Sequence, residues 1–314
     1  MTWYAPISGT ASLSSSGAGD GVFIAPNVII STTSANAISL SGIGCEADIY
    51  GTVVSTLSSS LVLGTSYNQQ GHTVQVHEDA FIRSFSFSSL ALYGYGNDLV
   101  NEGHIMGITS GLQISGENAS TSSHVVNSGT ISNASGIYGA IFLNRTETLI
   151  LDNSGIISNT GTAGSFLDYS GSVNEITNTG LMTGDIWLGG EADLYDGRNG
   201  KVIGTVHGGA GNDRITGGKE KNVLDGGADD DILTGGKGND TFVFANGYGK
   251  DRITDFGSGK DRIDVSGWAA IDSFSGVKSH ARNHGDDVWI KADSDVLIIE
   301  HTHKADLHAG DFIF

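Results

Sequence analysis

Apolar residues occur along the chain in short runs that are separated by Gly, Ser, Thr and Asn. Runs such as IYGTVVS at Ile49 and HTVQVH at His72 have the length and the β-branched content of strands. Apolar residues do not recur every three or four positions over the length of a helix. We therefore predict many short strands joined by tight turns, and an all-β protein.

A longer repeat organises the middle of the chain. Four Asn residues follow one another at nearly constant intervals, each with an apolar residue two positions before it, a Gly two positions after it and an apolar residue four positions after it. A shorter, degraded copy, NGKVI, follows at 199–203, where Lys201 replaces the Gly. The four Asn residues are Asn101, Asn127, Asn153 and Asn178, and the apolar residues before them are Leu99, Val125, Leu151 and Ile176.

This repeat predicts one coil of a parallel β-solenoid per copy. The Asn side chains would stack at a corner about 4.8 Å apart, each amide bonding to the next. The alternative is a β-sandwich whose turns contain Asn-X-Gly, but a sandwich gives no reason for a nearly constant spacing. Upstream of Leu99 the register cannot be followed. We predict a solenoid domain over 1–203, in which the segment 1–40 forms an N-terminal cap.

A nine-residue repeat begins where the longer one ends. Gly-Gly pairs stand at 208, 217, 226 and 235, in GGAGNDRIT, GGKEKNVLD, GGADDDILT and GGKGNDTFV. Each unit divides into a six-residue bend, whose glycines let carbonyl groups point inward, and a three-residue strand. Two units complete one coil, so every second bend stacks on the same side. This places Asp213 over Asp231 and Asn222 over Asp240.

Stacked carboxylates one strand spacing apart repel each other unless a cation lies between them. Sites built only from oxygen at flexible spacing favour Ca²⁺ over Mg²⁺ or Zn²⁺. Glu220 stands where the first and fourth units have Gly, and Asn222 stands where the other three units have Asp, so we expect a weaker site on that side. The candidate calcium ligands in the bends are Gly209, Gly211, Asp213, Asn222, Gly227, Asp229, Asp231, Gly236, Gly238 and Asp240.

The nonapeptides resemble the haemolysin-type calcium-binding repeats of the RTX (repeats-in-toxin) family. GGAGND and GGKGND fit the family pattern fully, and FVFANGYGKDRITDFGSGKDRIDVSG is similar to the segment that follows such repeats. The resemblance implies a β-roll domain over 204–314, with a C-terminal cap and secretion signal. It also implies calcium-binding or turn-fixing roles for Asp251, Asp255 and Asp261. The thin apolar core that it implies comprises Ile215, Leu224 or Val223, Ile232 and Phe242.

The charge of the chain agrees with a partner that is a cation. The chain has 35 acidic and 16 basic residues, for a net charge of −19. This charge argues against nucleic acid and anionic membranes as partners. We expect no membrane insertion, since no apolar run has the length of a spanning helix, and no classical N-terminal signal precedes the strands. The RTX resemblance implies type I secretion from a bacterium instead, with the terminal DFIF similar to the ends of such proteins.

Two classes of function remain open from the sequence. A structural or adhesive protein, at the cell surface or bound to extracellular polysaccharide, agrees with a long repetitive surface. The alternative is a carbohydrate-active enzyme, a lyase or epimerase, on the solenoid. Against it, YGYGND at 93–98 lacks the Pro and His of the epimerase segment, and neither HExxH nor GxSxG is present.

Two further groups of polar residues are interpreted as surface. The histidines have spacings that suit either a zinc site or exposed side chains, of which we favour the second. The solenoid aspartates carry no base or metal pattern and are interpreted as solvated. The histidines are His280, His284, His301, His303 and His308, and the aspartates are Asp152, Asp168, Asp185, Asp193 and Asp196.

Overall fold

A computed structural model describes residues 3–4, 8–9, 12–64, 66, 69–116, 120–134, 138–145, 147–169, 171–257 and 260–314. Nearly all of the regular structure is β-strand, and the strands belong to three long sheets, A, B and C. The chain visits the sheets in turn and pairs each strand in parallel with the strand one coil earlier. This is the predicted parallel β-solenoid, which is confirmed. No helix in the described ranges has the length and apolar character needed to cross a membrane.

Sheets A and C run from the first coils to the C-terminal segment, whereas sheet B is shorter. Sheet A comprises Trp3–Tyr4, Gly21–Ile24, Glu46–Ile49, Thr73–Val76, Asp98–Asn101, Ser122–Asn127, Thr148–Asn153, Asn174–Asn178, Leu194–Asp196, Arg214–Thr216, Ile232–Thr234, Lys250–Ile253, Asp295–Ile299, Asp287–Ala292 and Ala281–His284. Sheet B comprises Ile29–Thr32, Thr52–Ser55, Phe81–Ser84, His104–Gly107, Thr130–Asn133, Ile156–Asn159, Leu181–Thr183 and Lys201–Ile203. Sheet C comprises Leu13–Ser15, Ile38–Leu40, Leu61–Leu63, Leu90–Tyr93, Leu112–Gly116, Ile141–Arg145, Phe166–Asp168, Ile186–Gly189, Thr205–Ala210, Val223–Ala228, Thr241–Val243, Arg262–Asp264 and Phe312–Ile313.

The coils begin further upstream than the sequence indicated. Strands between residues 13 and 40, where a cap was expected, pair in all three sheets. The column that holds Asn101 continues back through Val76, Ile49 and Ile24. An aliphatic column carries no distinctive residue type, and the steps between its members are unequal, so the sequence alone did not reveal it. The division of the chain into domains at 203 and 204 stays a prediction.

The predicted asparagine ladder is confirmed. Asn101 donates through Nδ2 to Asn127 Oδ1 at 2.7 Å, Asn127 to Asn153 at 2.7 Å, and Asn153 to Asn178 at 2.8 Å. Asn178 then donates to the hydroxyl of buried Tyr195 at 3.3 Å. The degraded copy does not extend the ladder, since exposed Asn199 lies outside the bore. Each side-chain amide therefore donates a hydrogen bond to the amide oxygen of the next Asn, and these bonds fix the register between coils.

Asn127→Ala is expected to lower the free energy of unfolding by about 2–4 kcal/mol, because it leaves one donor and one acceptor buried without partners. Asn127 is fully buried and bonds both neighbours. Urea denaturation in excess calcium measures the change. Asn199→Ala, at an exposed position, is the control. Equal midpoints for the two variants would mean that the ladder does not stabilise the solenoid.

The three-sided solenoid becomes a two-sided roll at residue 203. Sheet B ends with Lys201–Ile203, while sheets A and C continue through the nonapeptides without interruption. Each strand then contributes one buried side chain to a core between two sheets. Ile215, Leu224 and Phe242 are buried as expected, but Ile232 is not: Ile215 pairs with Leu233, which takes the core position. The sequence interpretation was displaced by one residue, which turns a side chain to the opposite face.

The C-terminal segment closes the end of the stack. The strand Asp295–Ile299 pairs in parallel with Lys250–Ile253 and begins an antiparallel group of three. The helix Phe274–His280 and the 3₁₀ turn Ala309–Asp311 lie in the same segment. The antiparallel strands continue sheet A beyond its last parallel pair, so that no parallel strand forms this end of the sheet.

Candidate metal centre

The nonapeptide bends lie along the two edges of the roll. Bends 208–213 and 226–231 carry the chain from sheet C to sheet A, along what we name the first edge. Bends 217–222 and 235–240 return it from sheet A to sheet C, along the second edge. Every second bend therefore stacks on the same edge, as the spacing predicts.

On the first edge, aspartates form a continuous ladder. The backbone N–H of Asp213 donates to Asp231 Oδ1 at 2.8 Å, and the N–H of Asp231 donates to Asp251 Oδ1 at 3.1 Å. The ladder also extends upstream of the nonapeptides, because the N–H of Asp193 donates to Asp213 Oδ1 at 2.8 Å. The predicted pair Asp213 and Asp231 is thus stacked, and one oxygen of each carboxylate binds the backbone of the preceding bend.

The second edge carries a shorter ladder. The N–H of Asn222 donates to Asp240 Oδ1 at 2.8 Å, and the N–H of Asp240 donates to Asp261 Oδ1 at 2.9 Å. Asn222 uses its own Oδ1 to accept the N–H of Gly218 at 2.8 Å, and Asp261 Oδ2 accepts the N–H of Gly257 at 2.9 Å. At both ends of this ladder, therefore, one side-chain oxygen accepts a backbone N–H of its own bend.

The second carboxylate oxygen distinguishes the two edges. On the first edge, Oδ2 of four aspartates is buried and has no hydrogen-bond donor in the described structure, whereas on the second edge this is true of Asp240 alone. A buried carboxylate oxygen without a donor is costly unless a cation or a proton satisfies it. The four aspartates of the first edge are Asp193, Asp213, Asp231 and Asp251.

The glycines at the first bend position leave the space that these carboxylate oxygens occupy. A Cβ atom at Gly208 or Gly226 would collide with Oδ2 of the aspartate five residues later in the same bend. The second and fourth bend positions have positive φ in three of the four units. Carbonyl oxygens at these positions, among them those of Gly209 and Asp229, lie against the neighbouring bend. In the second unit Gly218 and Glu220 lack this conformation. The positions with positive φ are Gly209 and Gly211, Gly227 and Asp229, and Gly236 and Gly238.

Two of the predicted site residues accept hydrogen bonds from backbone N–H groups of the bends. Asp255 accepts the N–H groups of Gly235 and Gly236, both at 2.8 Å, and so fixes a bend with both carboxylate oxygens. The exposed side chain of Asp229 accepts the N–H of Gly211 at 3.1 Å, while its φ of +82° keeps the conformation of the glycine that it replaces.

Burial raises the pKa of every ladder carboxyl on the first edge. Desolvation is the largest cause, and the neighbouring carboxylates add to it, so that the pKa of Asp213 rises to about 7 and that of Asp231 to about 8. The pKa of Asp193 and that of Asp251 each rise to about 9. Asp240, on the second edge, has a pKa raised to about 6 for the same reasons. Without a cation, the folded chain therefore keeps a proton on these groups up to about pH 6 at Asp240 and up to about pH 9 at Asp193 and Asp251.

Without calcium, the roll is expected to be more stable at pH 5 than at pH 8. A carboxyl whose pKa is higher in the folded than in the unfolded chain takes up a proton on folding, so stability falls as the pH rises from about 4 to about 9. In calcium the trend reverses, because protons compete with the cation. Circular dichroism melts in EDTA and in calcium at both pH values measure this. Equal stability in EDTA at the two pH values would contradict it.

The described residues, those of the ladders included, hold no group of three His, Cys, Asp or Glu side chains placed to hold a metal ion by themselves. Four of the five C-terminal histidines are exposed, and His280 bonds to the carbonyl of Gly276 through Nδ1. Of the solenoid aspartates interpreted as solvated, Asp168 and Asp193 are buried, at 2% and 3% exposure, which corrects that interpretation. Two glycines before Asp193 were the signal that the sequence interpretation missed.

A solenoid that ends in a two-sheet roll with stacked acidic bends defines a class of metal-binding repeat proteins. Residues 207–242 match the family model of the RTX calcium-binding nonapeptide repeat, in four copies. These residues are therefore RTX calcium-binding repeats, and the resemblance read from their motifs is confirmed over this range. No curated protein matches the chain.

Two solved structures are similar to the chain. The crystal structure of the extracellular lipase LipA from Serratia marcescens is 12% identical with a TM-score of 0.33, over 81% of this chain and 40% of the lipase. The chain thus spans less than half of the lipase. The solution structure of the AlgE6R3 subunit from the Azotobacter vinelandii mannuronan C5-epimerase is 30% identical with a TM-score of 0.26, over 45% of this chain and 78% of the subunit.

Proposed function

We propose that this is a secreted bacterial calcium-binding protein whose roll folds when Ca²⁺ occupies the gaps between stacked bends. The observation that carries the proposal is the row of buried, donor-free Oδ2 atoms on the first edge, in Asp213, Asp231 and Asp251. Hard oxygen donors from carboxylates and carbonyls suit Ca²⁺. The other oxygen of each carboxylate stays bound to backbone, so the ligands are already oriented.

The residues divide into ligands and supports. On the first edge, the ladder carboxylates provide charge, and the carbonyl groups at the second and fourth positions, Gly209, Gly211, Gly227 and Asp229, provide neutral oxygens. On the second edge, Asp240 is the only ladder residue with a donor-free oxygen in the described structure, supported by the carbonyls of Gly236 and Gly238. There Asn222 and Asp261 hold their bends, and we expect weaker binding.

Folding and charge are coupled in this arrangement. In a chain of net charge −19, bringing four carboxylates into one buried ladder is opposed by desolvation and by their mutual repulsion. A bound divalent cation removes both costs, and binding energy then becomes folding energy. Where free calcium is scarce the roll stays open, and where calcium is about millimolar it closes, as extracellular calcium modules do.

The direct experiment is a titration of the whole, chelator-treated chain with calcium, followed by circular dichroism. We expect strand signal to rise at calcium concentrations up to about millimolar, and not with Mg²⁺ at the same concentration. Magnesium requires a smaller octahedral cage and keeps its water. The same strand content in EDTA as in calcium would overturn the proposal.

Export is proposed by the type I route, into the medium or onto the cell surface. The RTX repeats support it, and the route agrees with a roll that we expect to stay unfolded in a cell with little free calcium. Expression in a bacterium with and without a type I exporter tests the route. We expect the chain in the medium only when the exporter is present. Equal amounts outside both strains would contradict type I secretion.

For the solenoid we propose a structural or adhesive role, because its regular outer faces offer area for contact with extracellular polysaccharide or a cell surface. One observation favours the enzyme alternative. An open groove of about 340 Å³ on sheet A is lined by Asp48, Tyr50 and His77, and His77 Nε2 lies 2.6 Å from Asp48 Oδ1. Incubation with neutral and anionic polysaccharides separates the two: new unsaturated or reducing ends, lost in Asp48→Asn, would favour the enzyme.

A further inference from the structure

One bend upstream of the matched repeats has the conformation of a nonapeptide bend. Residues 188–193, LGGEAD, which we name the junction bend, connect the sheet C strand Ile186–Gly189 to the sheet A strand Leu194–Asp196, at the start of the last three-sided coil. The family match begins only at residue 207. Against the repeat pattern, the junction bend has Leu at the first position, Gly189 at the second, Glu191 at the fourth and Asp193 at the sixth.

The backbone of the junction bend follows that of its neighbour. Gly189 pairs with Gly209 in sheet C, and Tyr195 pairs with Ile215 in sheet A, so the two bends are in register over the whole turn. Gly189 has a φ of +107°, against +115° at Gly209. Glu191 has a φ of +71°, although it is not a glycine. A left-handed conformation at a residue with a Cβ is unfavourable and persists only where the surroundings require it.

The carbonyl groups of the junction bend face the next bend. A Cβ atom at Gly209 would collide with the carbonyl oxygen of Gly189, and one at Gly211 would collide with that of Glu191. The same contacts recur one coil later, where a Cβ at Gly227 would collide with the carbonyl oxygen of Gly209. The first gap is therefore built like the second.

The carboxylate of Asp193 is placed like those of the consensus bends. Asp193 is 3% exposed, and its Oδ1 accepts the N–H of Asn174 at 2.6 Å. Its Oδ2 is buried and has no hydrogen-bond partner in the described structure, and the same is true of Asp213 Oδ2. A buried oxygen of this kind needs a proton or a cation, and a cation that binds there takes the place of the proton.

We propose that Ca²⁺ also binds in the gap between the junction bend and bend 208–213, through Asp193, Asp213 and the carbonyls that face that gap. This inference rests on the proposed function and extends it to residues outside the matched repeats. The calcium-dependent part of the chain then begins within the last three-sided coil. The ion joins the solenoid to the roll, so that the finished solenoid acts as the template on which the first bend of the roll closes.

Asp193→Asn tests the site with the least disturbance, because Asn keeps the Oδ1 that accepts the Asn174 N–H. We expect the variant to bind one calcium ion fewer than the unchanged chain in a competition titration against a chromophoric chelator. Asp196→Asn is the matched control, since Asp196 has the same charge, lies three residues away and pairs with Arg198 at the surface. An unchanged number of ions in Asp193→Asn, or an equal loss in the control, would overturn the inference.

A second measurement does not depend on how the variant folds. In crystals of the unchanged chain soaked with Tb³⁺, we expect anomalous density in the gap between Asp193 and Asp213. Density between bends 208–213 and 226–231 but none in the junction gap would overturn this inference and leave the proposed function standing. No density in either gap would overturn both.

Discussion

Removal of calcium from the whole chain is expected to open residues 205–264 while the coils between residues 21 and 183 remain closed. Hydrogen exchange followed by mass spectrometry, in EDTA and in calcium at pH 8, measures this. With calcium at about 100 times its dissociation constant, one site stabilises the folded roll by about 2.7 kcal/mol, or about 100-fold in protection. Several sites in one ladder raise the difference further, which makes this the largest effect that we expect.

The contrast between the two regions follows from their cores. In the solenoid three sheets enclose aliphatic columns and a neutral asparagine ladder, which need no ion. In the roll each strand buries one side chain, and the ladder positions are carboxylates instead. The solenoid peptides of the same sample are therefore the internal control. Equal protection of 205–264 in EDTA and in calcium would contradict the calcium-dependent fold, and exposure of both regions in EDTA would contradict the independence of the solenoid.

The double variant Asp213→Ala, Asp231→Ala is expected to raise the calcium midpoint for folding by more than tenfold, and Asn222→Ala by much less. The double variant removes two buried carboxylates from adjacent bends of the first edge, and each one also accepts a backbone N–H. Even residues that only orient metal ligands cost about 10- to 100-fold in affinity when they are replaced. Asn222 binds its own bend through Oδ1 and carries no charge.

Calcium titrations of the two variants and the unchanged chain, followed by circular dichroism, measure these midpoints. Asp255→Ala shows what the loss of a residue that only supports a bend costs, because Asp255 accepts the N–H groups of Gly235 and Gly236 on the second edge. We expect it to resemble Asn222→Ala. Equal shifts for the double variant and Asn222→Ala would mean that the two edges bind calcium alike, and would contradict the division into a strong and a weak edge.

Much of the fold was predictable because repeats convert a local pattern into a long-range contact. The long repeat is enough to stack Asn101 on Asn127, and two nonapeptides are enough to stack Asp213 on Asp231. Where the period varied or the repeated residue type was common, prediction failed. Ile49 and Val76 occupy the same column as Asn101, yet an aliphatic column carries no signal of its own in the sequence.

The site was predictable in its chemistry and not in its extent. Constant spacing identified the bends and their stacked oxygens, and the resemblance to RTX repeats together with the oxygen donors indicated calcium. The junction bend escaped because Leu188 and Glu191 stand where glycine is expected, and only the positive φ of Glu191 and the register with Gly209 and Gly211 reveal it. Asp193 was taken for a surface residue, since a solvated and a buried aspartate look the same in sequence.

The sequence by itself determined the coil length, the column of amides and the acidic bends, because each of these follows from which residue type recurs at which interval. Only the tertiary structure decided which oxygen of each carboxylate is left without a donor. That depends on how neighbouring coils align: at Asp261 and Asn222 a backbone N–H of the same bend takes the remaining side-chain oxygen, and at Asp193 and Asp213 no such group reaches it. The spacing in the sequence determines which side chains stack, and the packing of neighbouring coils determines which hydrogen-bond donors reach them.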